Sequence, residues 1–314
     1  MNTTERLKVG GQAVIEGVMM RTESALTVSV RKADGSIKTK EEYITPLSQR
    51  YPLLKKPMLR GVVVLFESLA HGISALTFSA NEAAEAESEA PLSPWAMTLI
   101  IIVSLGLGVV LFVVFPHFLT ILIGKGFSTP MGINTLLFHL IDGFIKVAVF
   151  VLYILGISFM PDIRRVFMYH GAEHKSIFAF EAGEELTVQN ARKYSTLHPR
   201  CGTSFIITVL LISIFIFAAV FPFMPKFPEV PAFVRNLIYV LIKIPLLLPI
   251  AGISYELIRL AGDRKDNLFF IILSFPGIWL QKITTREPSD DQIEVALTAL
   301  SRSIQLYRER TQAT

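Results

Sequence analysis

Three of the chain's six histidines and its single cysteine fall between residues 170 and 201, as His170-Gly-Ala-Glu173-His174 and His198-Pro-Arg-Cys201. Asp162, after Pro161, can cap a helix and Gly183 can end it. His170 and His174 then stand four residues apart on one helical face, the spacing at which two imidazoles of one helix reach a single metal ion. Glu173 lies beside them as a candidate general base or outer ligand, in the His-x-x-Glu-His order of the inverzincins. His198 and Cys201 add a borderline and a soft donor, a set that suits Zn²⁺ or another divalent first-row ion. If all four side chains ligate, the shell is closed and the site structural. If water keeps one position, hydrolysis with Glu173 as base becomes possible. Against both stands the plainer reading that such a pattern arises by chance on a solvated helix.

A second group of ionisable residues lies inside apolar sequence. His139, Asp142 and Lys146 share one helical face, and Lys243 sits among Leu, Ile and Pro residues, close to Pro245 and Pro249. Charges at membrane depth cost ~2.5–3.5 kcal/mol each on insertion scales, so they pair or face water. Pairing of Asp142 with Lys146 or Lys243 is the structural expectation, and a transport path is the functional one. Glu256 and Arg259, further along the same segment as Lys243, either pair locally or lend a carboxylate to the metal region.

These residues need a scaffold, and the composition says which kind. The apolar share is 52%, with 30 Lys and Arg against 26 Asp and Glu, a net charge of +4. The mean hydropathy is +0.51. Such numbers exclude a disordered chain, an ordinary soluble globule and a disulfide scaffold. The spread of basic residues gives no nucleic-acid footprint. The sequence predicts a polytopic α-helical membrane protein embedded in a lipid bilayer, with a small cytoplasmic α+β region. Four apolar runs are long enough to span a slab about 30 Å thick: Trp95 to Ile123, Ile133 to Phe159, Ser204 to Met224 and Phe233 to Leu260. A fifth, Leu268 to Leu280, is short and contains Pro276-Gly277, which predicts a re-entrant segment. The first residues lack the apolar core of a signal peptide. Lys and Arg concentrate in the 160–203 segment, which places it and both termini in the cytoplasm.

The domain plan is therefore a β-rich region over 1–57, an amphipathic helix and acidic linker over 58–94, a transmembrane pair over 95–159, the His/Glu/Cys segment over 160–203, a second pair with the re-entrant segment over 204–280, and an amphipathic helix over 281–314. Leu26 to Arg31 alternates apolar with polar and precedes Asp34-Gly35, the signature of a hairpin turn. Val62, Leu65, Phe66, Leu69, Ile73 and Leu76 recur at helical spacing and predict a helix lying along the membrane surface. Ser289-Asp-Asp-Gln292 is a capping box, and the helix behind it is expected to pack on the N-terminal sheet. Gly10-Gly11-Gln12-Ala-Val-Ile-Glu16-Gly-Val-Met-Met-Arg21 matches neither a Walker loop nor a dinucleotide fingerprint, so by spacing alone it reads as a strand entered through a glycine turn. Ser104 and Gly108 form a generic small-residue packing pair.

The segments Gly10 to Arg21, Tyr169-His-Gly-Ala-Glu-His-Lys175, His198-Pro-Arg-Cys-Gly-Thr-Ser204 and Thr284-Thr-Arg-Glu-Pro288 resemble those of the YqhQ-like bacterial membrane proteins, over nearly the whole chain. The resemblance implies a cell-membrane protein with a domain of unknown function, described as metal-dependent. It also moves Gly11, Gln12, Glu16 and Arg21 from turn residues to candidates for a shared site. Two functions remain open at this stage. One is a membrane hydrolase acting on a peptide, lipid head group or other polar ester or amide. The other is a scaffold or transport-related protein with a structural metal site and a protein partner.

Overall fold

The computed structural model describes residues 7–86, 93–126, 132–133, 135–263 and 267–313. Four short strands, β1 (Gly10–Val14), β2 (Gly17–Arg21), β3 (Ala25–Arg31) and β4 (Ile37–Tyr43), form an antiparallel sheet in sequence order. Gly35 supplies the left-handed residue of the β3–β4 turn with φ 84°, as the Asp34-Gly35 pair requires. After the sheet come the single turn α1 (Leu47–Arg50) and a 3₁₀ turn. The long helices follow: α2 (Leu59–Ala86), α3 (Pro94–Val109), α4 (Phe115–Gly126), α5 (Leu136–Ile157) and α6 (Pro161–Ala182). The short α7 (Val188–Arg192) precedes α8 (Gly202–Val220), α9 (Ala232–Asp263), α10 (Leu268–Thr284) and α11 (Asp290–Ala313).

Alternation along the strands divides the sheet's side chains between two layers. Val9, Val18 and Met20 join Tyr169, Ala172 and Ile177 of α6 and Ile293, Ala296 and Leu300 of α11 in one buried cluster. Met19, Leu26, Val28 and Val30 face the other way, onto Ala75 and Phe78 of α2. Thr27, on the α11 face, donates its hydroxyl to the Ala299 carbonyl at 2.7 Å. The Ser289 backbone N–H is capped by Gln292 Oε1 at 3.0 Å, so α11 starts at the predicted box and packs on the sheet.

Five helical stretches are long and apolar enough to cross a membrane, by length and composition: Leu59–Glu85, Trp95–Gly126, Leu136–Ile157, Gly202–Phe223 and Ala232–Ala261. The expected number was four, because α2 reads as a surface helix. Its second half packs on the sheet, while its first half packs on α9, where Gly61 abuts Tyr255 and Gly252. The second stretch joins α3 to α4 through a π-helical turn over Val110–Val114, just before Pro116. A widened turn there accommodates a proline that cannot donate to the ladder.

The segment expected to be re-entrant is an apolar helix shorter than those five. Residues 268–284 form one continuous helix through Pro276, 17 residues long, or about 26 Å at 1.5 Å per residue. Gly277 lets it lie against Ser204 of α8, since a Cβ there would stand 2.5 Å from the serine. The acidic linker continues α2 as far as Ala86, and its residues 87–92 lie outside the described ones.

Candidate metal centre

α6 begins at Pro161 with Met160 at its N-cap, so Asp162 sits in the first turn instead of capping, and it ends at Gly183 in the left-handed conformation with φ 75°. On this helix His170 and His174 have ring centroids 4.4 Å apart. Cys201, at the N-cap of α8, completes a triad whose donor atoms all lie within 4.8 Å of one another. His170 Nε2 is 3.2 Å from Cys201 Sγ.

Two backbone carbonyls set the outward face of each ring. His170 Nδ1 meets the Thr284 carbonyl at 2.8 Å and His174 Nδ1 meets the Thr196 carbonyl at 2.5 Å. A carbonyl can only accept, so each Nδ1 carries a proton, and in the neutral ring each Nε2 keeps a lone pair. Burial pushes the His174 imidazole below its ordinary value, which the Cys201 contact opposes, and this favours the neutral form. Ligating histidines commonly have their second nitrogen held on a carbonyl in this way.

The neighbouring chain is brought close by small residues. A Cβ at Gly171 would stand 2.1 Å from the Arg286 carbonyl, and Arg286 donates its backbone N–H to Phe167 at 2.9 Å. The Thr284–Pro288 segment is thereby clamped on α6, with Thr284 oriented toward His170. Lys175, buried, donates to the carbonyls of Arg192 and Tyr194 and pairs with Glu287 at 2.8 Å. It holds the α7 region against α6.

Glu173 is buried and faces the sheet. A Cβ at Gly11 would lie 2.8 Å from its side chain, so β1 needs a glycine where the carboxylate crosses it. Burial raises the Glu173 carboxyl above its ordinary value, and the nearby His170 and His198 rings act the other way.

His198 stands beside the triad, its ring centroid 5.5 Å from that of His174. Its Nδ1 accepts from the Arg200 backbone N–H at 3.2 Å, and its Nε2 is 3.9 Å from the Glu181 carboxylate. The described residues thus bring three of the four expected donors together.

The glycine-rich motif is split by strand alternation. Gly11 faces Glu173, whereas Gln12 packs on Gly72 of α2. Glu16, in the β1–β2 turn at φ 52°, accepts from Arg165 Nε at 2.5 Å, from Arg165 Nη2, and from the Tyr169 hydroxyl at 3.3 Å. Arg21 pairs with Glu67 of α2 at 3.7 Å. Gly11, Gln12 and Arg21 also line a cavity of about 600 Å³ between sheet, α2 and Tyr255. Glu256 does not reach the metal region: it binds Arg60 in a bidentate pair and accepts the Met58 N–H, tying α9 to α2. Arg259 is exposed.

Sequence reasoning overlooked Gln281 and His117. Gln281 is fully buried; its side chain pairs with the His198 backbone and reaches Ser204 Oγ at 3.1 Å. A lone amide just past an apolar run was the available signal.

The fold and the triad together define a mainly helical protein with membrane-length apolar helices and a small helix-covered sheet beside a His/Cys cluster. The chain belongs to a family described as "Protein of unknown function (DUF1385)", whose match covers residues 56–306. It is 33% identical over 313 residues to "Uncharacterized protein YqhQ" of Bacillus subtilis (strain 168), covering 95% of this chain and 92% of that protein. No solved structure matches it.

Proposed function

We propose that this chain is a membrane hydrolase whose His170, His174 and Cys201 hold a divalent ion, Zn²⁺ by ligand type, at a polar domain on the cytoplasmic side. The supporting observation is the pair of carbonyl-fixed imidazoles, which leave two Nε2 lone pairs at a thiol. Three protein donors leave a tetrahedral position for water or substrate, as catalytic zinc sites do. A closed structural shell requires a fourth donor, and His198 would have to give up its Arg200 and Glu181 contacts to supply it.

A bound ion supplies Lewis acidity and lowers the pKa of water in its shell. Glu173 holds or passes the proton from its buried position, and His170, half-buried, marks the side open to a substrate. The substrate class is a polar ester or amide, such as a peptide or lipid head group. The cytoplasmic placement rests on the Lys and Arg content of the 160–203 segment.

The test is metal content by mass spectrometry on detergent-purified protein, followed by hydrolase screening of Glu173→Gln. About one ion per chain, lost in His170→Ala/His174→Ala, with Glu173→Gln retaining metal but not turnover, is the expected result. A folded, reconstituted wild type without metal overturns the reading.

A further inference from the structure

The second ionisable group closes into a compact cluster. Asp142 Oδ2 accepts from Lys146 Nζ at 2.5 Å and from Lys243 Nζ at 2.9 Å. Lys243 also donates to His117 Nδ1 at 3.1 Å. The four side chains are all nearly or fully buried, as is His139. They come from α4, α5 and α9, with α8 closing the site through Phe217, whose ring lies 4.9 Å from Lys146 Nζ and 5.5 Å from Lys243 Nζ.

Two tallies run the same way here. Lys146 and Lys243 bring two positive charges to one carboxylate, on a single oxygen of it. Each ammonium has three N–H bonds, yet among the described residues the two make only the three hydrogen bonds just described. His117 accepts through Nδ1, so its proton is on Nε2, and among the described residues that buried atom meets no acceptor within hydrogen-bond geometry, although the Asn236 side chain lies beside the ring. Among the described residues the ring nitrogens of His139 also fall short of hydrogen-bond geometry, with the Ile133 backbone as the group beside them, and Asp142 Oδ1 has no donor. The cluster therefore has surplus positive charge and more unused N–H donors than unused acceptors. Buried polar groups in native proteins find partners, and the guest that supplies both missing quantities is an anion.

We propose that His117, His139, Lys146 and Lys243 form a binding site for a small inorganic monoanion of halide size, with Asp142 as the fixed counter-charge that limits it to one. Connectivity places the site in the half of the bundle away from the His/Cys triad. Asp142 is seven residues into α5, whose start faces the end of α4, whereas the triad lies past the opposite end of α5. Ions would enter from the side where α4 ends and α5 begins. The proposal is independent of the metal reading.

The experiment is thermal unfolding of the detergent-purified full chain in chloride, bromide or gluconate at constant ionic strength. The expected result is a saturable rise in the midpoint, on the order of 3 °C, with either halide and none with gluconate. Lys243→Met should abolish it. Asp142→Asn removes the competing carboxylate and should lower the half-saturating chloride concentration about tenfold, which gives a second variant if Lys243→Met does not fold. Equal midpoints in all three salts overturn the proposal. So does a halide response that is unsaturable, or that Lys243→Met leaves intact.

Discussion

The His/Cys triad and the buried Asp/Lys cluster solve opposite electrostatic problems with overlapping residue types. In the triad, backbone carbonyls of Thr196 and Thr284 hold the Nδ1 side of each imidazole, so that the Nε2 atoms turn toward the thiol. In the bundle, the imidazole of His117 is turned by a cation, Lys243, so that its lone pair is consumed and its N–H faces the interior. The first arrangement gathers acceptors and suits a cation. The second gathers donors and suits an anion. Histidine in both places shows that the partner of one ring nitrogen decides what the other can bind.

Substitutions can break this contrast, and the largest effect is expected at the triad. His170→Ala/His174→Ala should lower bound metal from about one ion per chain to none, while Lys243→Met leaves metal content unchanged. Parallel loss in both variants would mean that the two sites are not separate. Next comes Asp142→Ala, which leaves two buried ammonium groups without their carboxylate. It should destabilise the protein by ~3–5 kcal/mol, read as a lowered unfolding midpoint in the absence of halide. A smaller loss of ~1–3 kcal/mol is expected for Gly11→Ala, because the new Cβ overlaps Glu173 at 2.8 Å. The smallest belongs to Arg165→Ala. Its pair with Glu16 is half-exposed, so ~0–1 kcal/mol is at stake, with metal content unchanged. A large effect there would make Glu16 part of the site instead of a tie between the β1–β2 turn and α6.

Several features were legible locally. The Asp34-Gly35 hairpin, the Gly183 stop and the Ser289–Gln292 box each depend on a few adjacent residues, and each is found where the residues predict it. The i, i+4 spacing likewise places His170 and His174 together, since helical periodicity alone fixes that relation. The role of α2 was not legible: an apolar stripe suits a membrane surface and a sheet face equally, and only the sheet's position distinguishes them. The continuity of 268–280 was not legible either, because a short apolar run containing Pro276-Gly277 is compatible with several local shapes. Packing against α8 sustains a continuous helix there.

What the sequence determined by itself is the apolar helices, the sheet's alternation and the same-helix pairs at the heart of each polar cluster, His170 with His174 and Asp142 with Lys146, because these follow from residue type and short-range spacing. What only the tertiary structure decided is which partners each group meets. Cys201 comes to the His170–His174 face while His198, three residues before it, is drawn toward Arg200 and Glu181. Glu256 goes to Arg60 and not to the metal region, and His117 arrives at Lys243 from 126 residues away. The physical reason is that ligation and ion pairing require contact within about 4 Å. Contacts between residues far apart in the chain are set by how whole helices and a sheet pack, which no local pattern encodes.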